Sequence, residues 1–340
     1  VSAVRILGLG PVLTCGQGVE ALSRALAEEK SGPPAADLST EALTAFLPPA
    51  RIRRIDPFGR MALLAAFLAI RDAGLALEAA RTDRWGIVVG TAFGPQTSTF
   101  SFLDGLIDGR DHLVSSLAFT NSVHNMVAAQ VSLALGVTGP VRTLTAFGYT
   151  AGTALRTACH WIQAGRADRV LLILGEESSP VLTYAVGRMG GGAERVRPLA
   201  DECTYAARPG CAALLLGSGD TGYARVLEVE ESLTTAEAAA RAALADVLFC
   251  AAAGRVDEAG DYRVLTSQAR RVRAHAPLYG SLATSLGIEA TIAALVLAGR
   301  TSEAVIEAGA GPETASAAPR TAAVAGVCGP NRVTLVSLGG

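Results

Sequence analysis

Lysine is almost absent: Lys30 is the only one among 29 basic residues, which leaves nothing to build Schiff-base or Walker-type phosphate chemistry on. Charge of any kind is scarce. Only 18% of the 340 residues are charged and 50% are hydrophobic, which excludes a disordered chain and leads us to expect that part of the surface is covered by a partner. A positive excess is missing as well, since 29 − 31 gives a formal charge of −2 and nucleic-acid binding has no electrostatic footprint here. Long apolar runs are lacking; stretches such as 170–174 and 293–298, and even the ten residues 61–70, fall far short of the roughly 20 residues of a membrane span. The first apolar run contains Arg5 and is then broken by Gly8, Gly10 and Pro11, unlike a signal peptide. These absences point to a cytoplasmic protein that engages neither membrane nor nucleic acid. Cys15, Cys159, Cys203, Cys211, Cys250 and Cys328 include no Cys-x-x-Cys pair, so reduced, mostly buried thiols are expected, with no disulfide, metal or cofactor.

What is present is an alternation of strand and helix patterns from end to end. Residues 4–9 read as a strand closed by Gly10-Pro11, 18–29 as a helix, 60–73 as a stronger helix stopped by Gly74, and 85–90 as a strand ending in glycine. Then follow a helix at 125–135, a strand at 141–146, a helix at 150–164 and a buried strand at 170–174. A glycine-rich, charged stretch at 187–201 reads as a surface loop. Beyond it come strands at 212–216, 224–229, 248–250, 305–307, 321–327 and 333–336, with helices at 235–244 and 286–298. Strand, helix, strand at this spacing implies parallel pairing with helices on the faces.

A series of short motifs gives this alternation a family. Val4-Arg5-Ile6-Leu7-Gly8-Leu9-Gly10-Pro11 is followed by Ile55-Asp56-Pro57-Phe58-Gly59-Arg60, Asp72-Ala73-Gly74-Leu75 and Gly86-Ile87-Val88-Val89-Gly90-Thr91. Asn125-Met126-Val127-Ala128, Gly165-Arg166-Ala167-Asp168, Arg197-Pro198-Leu199-Ala200-Asp201, Gly287-Ile288-Glu289-Ala290 and Gly326-Val327-Cys328-Gly329-Pro330-Asn331 continue it in order. The chain resembles the β-ketoacyl synthases, the condensing enzymes of fatty-acid and polyketide assembly. The resemblance implies an α/β, thiolase-like fold of two fused, pseudo-repeated halves in a five-layered α-β-α-β-α sandwich, here divided as 1–225 and 226–340, usually paired as a dimer.

Condensing enzymes of this family need a nucleophilic cysteine at a strand-to-helix elbow and two histidines for decarboxylation. Counted forward from Gly139-Pro140 and back from Gly165, the nucleophile position falls on Gly148, which has no side chain to react. The second histidine position, before the Gly287-Ile288-Glu289-Ala290 helix, falls on Ser281. No histidine lies between Trp161 and Ala274, where the first is expected, and the strand end there reads Phe249-Cys250-Ala251-Ala252-Ala253-Gly254. Thr157-Ala158-Cys159-His160 mimics the catalytic signature, but Cys159 stands only six residues before Gly165 where the family has seventeen; it is expected to be a packed helix cysteine. His275, near the family's lysine position, is expected to be structural or exposed, and His112 and His124 lack spaced metal partners.

With its scaffold motifs kept and its catalytic groups missing, the chain resembles the non-catalytic chain-length factor of type II polyketide synthases, with Gly148 at the elbow pointing toward polyene, aryl polyene or highly reducing systems. That resemblance implies a heterodimer with a catalytic ketosynthase, joined through Val141, Arg142, Thr143, Leu144, Thr145 and Ala146. It also implies an acyl carrier protein bearing the growing chain, and an acyl tunnel shaped by Phe93, Gln96, Thr99, Phe100 and Leu103 in one helical region. The competing expectations are a divergent thiolase-fold acyltransferase or hydrolase acting on acyl thioesters through Tyr149, Thr150 or Ser281, and a stand-alone homodimeric scaffold.

Overall fold

The computed structural model describes residues 3–28, 38–108, 115–188, 190–301 and 318–340; Lys30, His112 and the strand expected at 305–307 lie outside them. In the first half the elements are β1 (Val4–Leu13), β2 (Gly16–Gln17), α1 (Val19–Ala27), α2 (Pro49–Ile52), α3 (Pro57–Asp72), β3 (Trp85–Gly90), α4 (Gln96–Ile107) and α5 (Ser116–Asn121). They continue with α6 (Met126–Leu135), β4 (Val141–Leu144), α7 (Thr150–Gln163), β5 (Arg169–Glu176), α8 (Pro180–Arg188) and β6 (Gly210–Ser218). The second half has β7 (Ala224–Leu233), α9 (Thr235–Ala242), β8 (Val247–Cys250), α10 (Val256–Thr266), β9 (Val272–Arg273), α11 (Ala276–Tyr279), α12 (Ser285–Leu297), β10 (Thr321–Gly329) and β11 (Arg332–Gly339).

Strand order makes the internal duplication visible. The path runs β4-β3-β5-β6-β1 and then β7-β11-β10-β8-β9, with the small β2 paired to β1. Numbering the five main strands of each half from its own start, both halves read 3-2-4-5-1. The directions repeat too: β3 is parallel to β4 and β5, and β8 to β9 and β10, while the last strand of each half pairs antiparallel to both neighbours. A short antiparallel contact, Val4 with Val226 and Ile6 with Ala224, joins the two runs.

Side-chain alternation along the strands builds the layers. In β5, Val170, Leu172 and Leu174 enter a central core with α7 and α12, while Leu171 and Ile173 enter an outer core under α3 and α6. In β8, Val247 and Phe249 join the central core, whereas Leu248 and Cys250 face Ala238 and Ala242 of α9 and Tyr262 and Leu265 of α10. Helix, sheet, helix, sheet, helix is therefore the order of the five layers. No helix among the described residues is long and apolar enough to cross a membrane.

The opening strand does not stop at Gly10-Pro11 but runs on to Leu13, with Gly10 opposite Ala213 and Pro11 opposite Ala212 of β6. Its glycines serve a close approach instead of a turn: a Cβ on Gly8 would stand 2.2 Å from the Ala69 carbonyl oxygen, and one on Gly10 would stand 2.0 Å from that of Ala65, both in α3. Helix α3 begins three residues earlier than expected because Pro57 suits a first turn and the Asp56 carboxylate accepts the Gly59 amide at 2.6 Å. The expected 187–201 loop loses its start to α8, which ends at Arg188. All six cysteines are free, with Cys159, Cys211 and Cys250 buried and the other three half-buried. Gly10→Ala is expected to destabilise the fold by about 2 kcal/mol or more through overpacking against α3. Gly260→Ala, where an α10 glycine faces open space, is expected to stabilise by about 0.5 kcal/mol or more; urea midpoints of the two variants check both signs.

Candidate functional site

The elbow between β4 and α7 places an aromatic ring where the strand ends. The Ala146 amide donates to the Thr150 hydroxyl at 2.8 Å and the Tyr149 amide to the Ala146 carbonyl at 3.0 Å, closing a tight turn before the helix. Phe147 sits in this turn at φ 45°, a conformation that costs a bulky residue on the order of 1 kcal/mol or more and is retained only where its surroundings enforce it. Gly148, the position reached by counting, does not face open space. A Cβ there would stand 2.8 Å from the Cα and 2.9 Å from the carbonyl oxygen of Cys328 at the end of β10, so the site has room for hydrogen alone.

Phe147 instead reaches a cavity of about 460 Å³ together with Phe93, Leu182, Ala185, Val186, Gly191, Cys203, Tyr205, Arg255, Val256 and Asp257. The Phe93 and Phe147 rings meet edge to face with centroids 6.3 Å apart, a favoured aromatic geometry. Arg255 is neutralised by Asp257, with Nε to Oδ1 at 3.0 Å, and by Glu258 at 3.3 Å. Burial pushes the Tyr205 hydroxyl up to about 12, keeping it neutral. The lining is thus mostly apolar, with its one cation already paired, and suits an uncharged chain.

Ser281, Thr150, Cys159 and His275 are each buried, and Tyr149 is half-buried without lining the cavity. Ser281 is buried; its hydroxyl donates to the Ala253 carbonyl at 2.6 Å and accepts the Ala206 amide at 3.0 Å, tying two backbone segments together. Thr150 is buried and spends its hydroxyl oxygen on the elbow. Cys159 is packed in α7, and burial raises its thiol to about 12. His275 is buried in the interior, its Nδ1 2.8 Å from Glu289 Oε2 and its amide 2.9 Å from Oε1, with the Tyr279 hydroxyl donating to the same oxygen at 2.8 Å. His124 and His160 are exposed, and none of these three histidines lines the cavity.

Of the five residues expected to shape a tunnel, only Phe93 lines the cavity, and it precedes α4 rather than lying in it. Gln96 is buried with its Oε1 accepting from the Ser179 hydroxyl at 2.6 Å; Thr99 donates to the carbonyls of Pro95 and Ser122; Phe100 is half-buried. Leu103 lies with Leu106 and Ile107 among the exposed apolar residues of α4. The expected interface strand ends at Leu144, leaving Thr145 and Ala146 in the approach to the elbow. Phe147, mostly exposed at the cavity's edge, was missed because nothing in residue spacing reveals which of two neighbours a strained turn brings to the cavity.

Buried carboxylates hold the segment that carries Phe93. Glu176, the last residue of β5, accepts the Ala92 amide at 2.7 Å on Oε1, and the Thr91 hydroxyl at 2.9 Å and Phe93 amide at 3.2 Å on Oε2. Glu177 accepts the Thr97 amide at the start of α4. Burial pushes both carboxyls up to about 7, and Asp56 up to about 6.

The architecture is a thiolase-like fold, and solved structures share it along the whole chain. The ishigamide ketosynthase/chain length factor superposes with a TM-score of 0.81 at 18% identity, covering 99% of each chain. A type II polyketide synthase acyl-carrier protein in complex with its ketosynthase bound to the hexaketide gives 0.79 at 16%, covering 100% of this chain and 99% of that one. A β-ketoacyl synthase from Burkholderia phymatum STM815 gives 0.80 at 17%, with the same coverage. Residues 35–190 match the family model for the β-ketoacyl synthase N-terminal domain. Nodulation protein E of Rhizobium meliloti is 30% identical over 196 residues, 57% of this chain and 46% of that protein. The 3-oxoacyl-[acyl-carrier-protein] synthase 2 of Staphylococcus aureus is 27% identical over 224 residues, 65% and 53% respectively. The chain is thus similar to β-ketoacyl synthases over residues 35–190 and shares their fold, and the matched region spans about half the length of these curated relatives.

The raised carboxyls set a sign for stability against pH. Their folded-state values lie above those of the unfolded chain, so each contributes stability fully below about pH 4 and loses it as pH rises through about 6 to 7. The urea midpoint is expected to fall between pH 5 and pH 8, and Glu177→Gln to flatten that slope; a midpoint that is level or climbs over the interval contradicts the assignment.

Proposed function

We propose that this chain is a non-catalytic chain-length factor, a pseudoenzyme of two thiolase-like halves, 1–225 and 226–340, that pairs with an active ketosynthase in polyene-type polyketide assembly. The observation that carries the proposal is the elbow: Phe147 lines the mouth of the cavity with much of its ring still exposed, Gly148 has no room for a side chain, and Ser281 is consumed by backbone bonds. A strand-to-helix turn that in the resembling enzymes presents a nucleophile here presents a ring, which can shape an acyl tunnel and cannot attack a thioester. The likeness to a ketosynthase/chain length factor supports the same role.

Features of the surface support the partners. Strand β4 ends the strand path and is paired on one side only, to β3, with Val141 and Arg142 exposed. An unpaired edge is a template for another chain. Leu103, Leu106 and Ile107 of α4 and Leu117 and Phe119 of α5 add exposed apolar surface, suited to the core of an obligate interface with a ketosynthase. An acyl carrier protein then delivers the chain to the pair. The second reading, an acyltransferase or hydrolase, gains no support from Ser281 or Thr150, whose hydroxyl oxygens are engaged as described, or from Tyr149, which does not line the cavity.

Co-expression with a ketosynthase from its own gene neighbourhood is expected to give a heterodimer burying on the order of 2,000 Å² or more. The chain alone should show no condensing or decarboxylating activity, and Cys159→Ala should leave turnover of the pair unchanged. A soluble monomer indifferent to the ketosynthase, or a roughly hundredfold loss in Cys159→Ala with the pair intact, overturns the proposal. In the reconstituted pair, Phe93→Ala is expected to lengthen the product by at least one two-carbon extension, read by mass. The same lengths at normal turnover would place the limit in the partner or the carrier protein.

A further inference from the structure

Helix α4 is poorly held by packing. Gln96 is its only buried residue, and its N-cap, Pro95, offers no side-chain hydrogen bond. What fixes its start, and the turn before it, comes from the neighbouring strand. The β3–β5 ladder ends at Gly90 opposite Leu174, and the Thr91 amide donates to the Leu144 carbonyl; the Glu176 carboxylate then takes over and binds the amides of Ala92 and Phe93 together with the Thr91 hydroxyl. Thr91 in turn accepts the Gly94 amide at 3.0 Å. Glu177 then accepts the Thr97 amide, putting a carboxylate on the helix N-terminus where the dipole favours it, and the Ser179 hydroxyl holds Gln96. A stretch of chain bonded to two successive carboxylates has little freedom to slide, so the Phe93 ring stays against Phe147.

We propose that Glu176 and Glu177 act as positioning residues for chain length: they clamp residues 91–97 to the end of β5 and thereby set where the Phe93 wall of the cavity stands. This rests on the chain-length role proposed above and names the residues through which Phe93 is held. The two oxygens of Glu176 each accept a backbone amide. A glutamine in its place must turn its amide nitrogen toward one of those donors, losing that bond whichever way it lies.

Two readouts test the clamp in Glu176→Gln. In the isolated chain or the pair, amide hydrogen exchange at Ala92 and Phe93 is expected to quicken at least tenfold while β3 and β5 amides keep their protection. In the pair, the product distribution is expected to broaden toward longer chains with turnover near that of the parent. Thr91→Val, which removes one hydroxyl from the same network, gives the same changes in weaker form if Glu176→Gln folds poorly. Unchanged exchange at Ala92 and Phe93 overturns the clamp. Unchanged product lengths in Glu176→Gln while Phe93→Ala lengthens them overturn its role in specificity and leave the chain-length role standing. Unchanged lengths in both variants, with faster exchange, overturn the specificity proposal together with the chain-length role.

Discussion

A helix with no exposed face governs the rest of the molecule. Every residue of α12 from Ser285 to Val296 is buried, because the helix lies between the two strand runs and touches both. A helix so placed must be apolar all round, and its single charge, Glu289, must be bonded in the interior to avoid a large desolvation penalty. His275 and Tyr279 meet that need from the preceding segment. The separation of the layers follows from residues without side chains: Gly287 lies against Leu174 of β5, and Gly152 of α7 against Thr334 of β11. With the central layer so constrained, the elbow at the start of α7 and the Ser281 bridge before α12 are held in place by the core itself.

The wall of the cavity is built on another principle. Thr91, Ala92, Gly94, Pro95 and Gln96 are buried, and hydrogen bonds to Glu176 and Glu177 tie the segment to the end of β5 as well. The opposite wall is lighter, since α8 has no buried residue yet supplies Leu182, Ala185 and Val186 to the lining. The α8 side of the cavity can therefore shift with little disturbance of the core. The strained backbone at Phe147 belongs to the rigid side, where the end of β10 closes over Gly148 and leaves the turn no alternative.

Some of the site could be read before any coordinates. The absence of cysteine from the elbow, the helix-bound Cys159 and the glycine landmarks follow from residue identity and spacing. The interior place of His275 did not, because its burial depends on Glu289 and Tyr279 reaching it from helices that spacing cannot align. Phe147 escaped for a similar reason: counting locates a turn to within a residue, whereas the side chain that faces the cavity depends on a positive φ and on the backbone of Cys328, which lies 180 residues away in sequence.

Local pattern located most strands and helices of the core, since periodicity of apolar residues is a property of neighbouring positions, but it missed α10, whose Tyr262 and Leu265 are buried. The same pattern misjudged Gly10 as the close of the first strand, because a glycine that ends a strand and one that lets a helix approach look alike in a chain. Sequence alone thus determined the class of fold and the absence of cysteine from residues 141–150. Tertiary structure decided which aromatic residue lines the cavity, which carboxylates bond its wall and which strands end the sheet, all of which depend on contacts between segments distant in sequence.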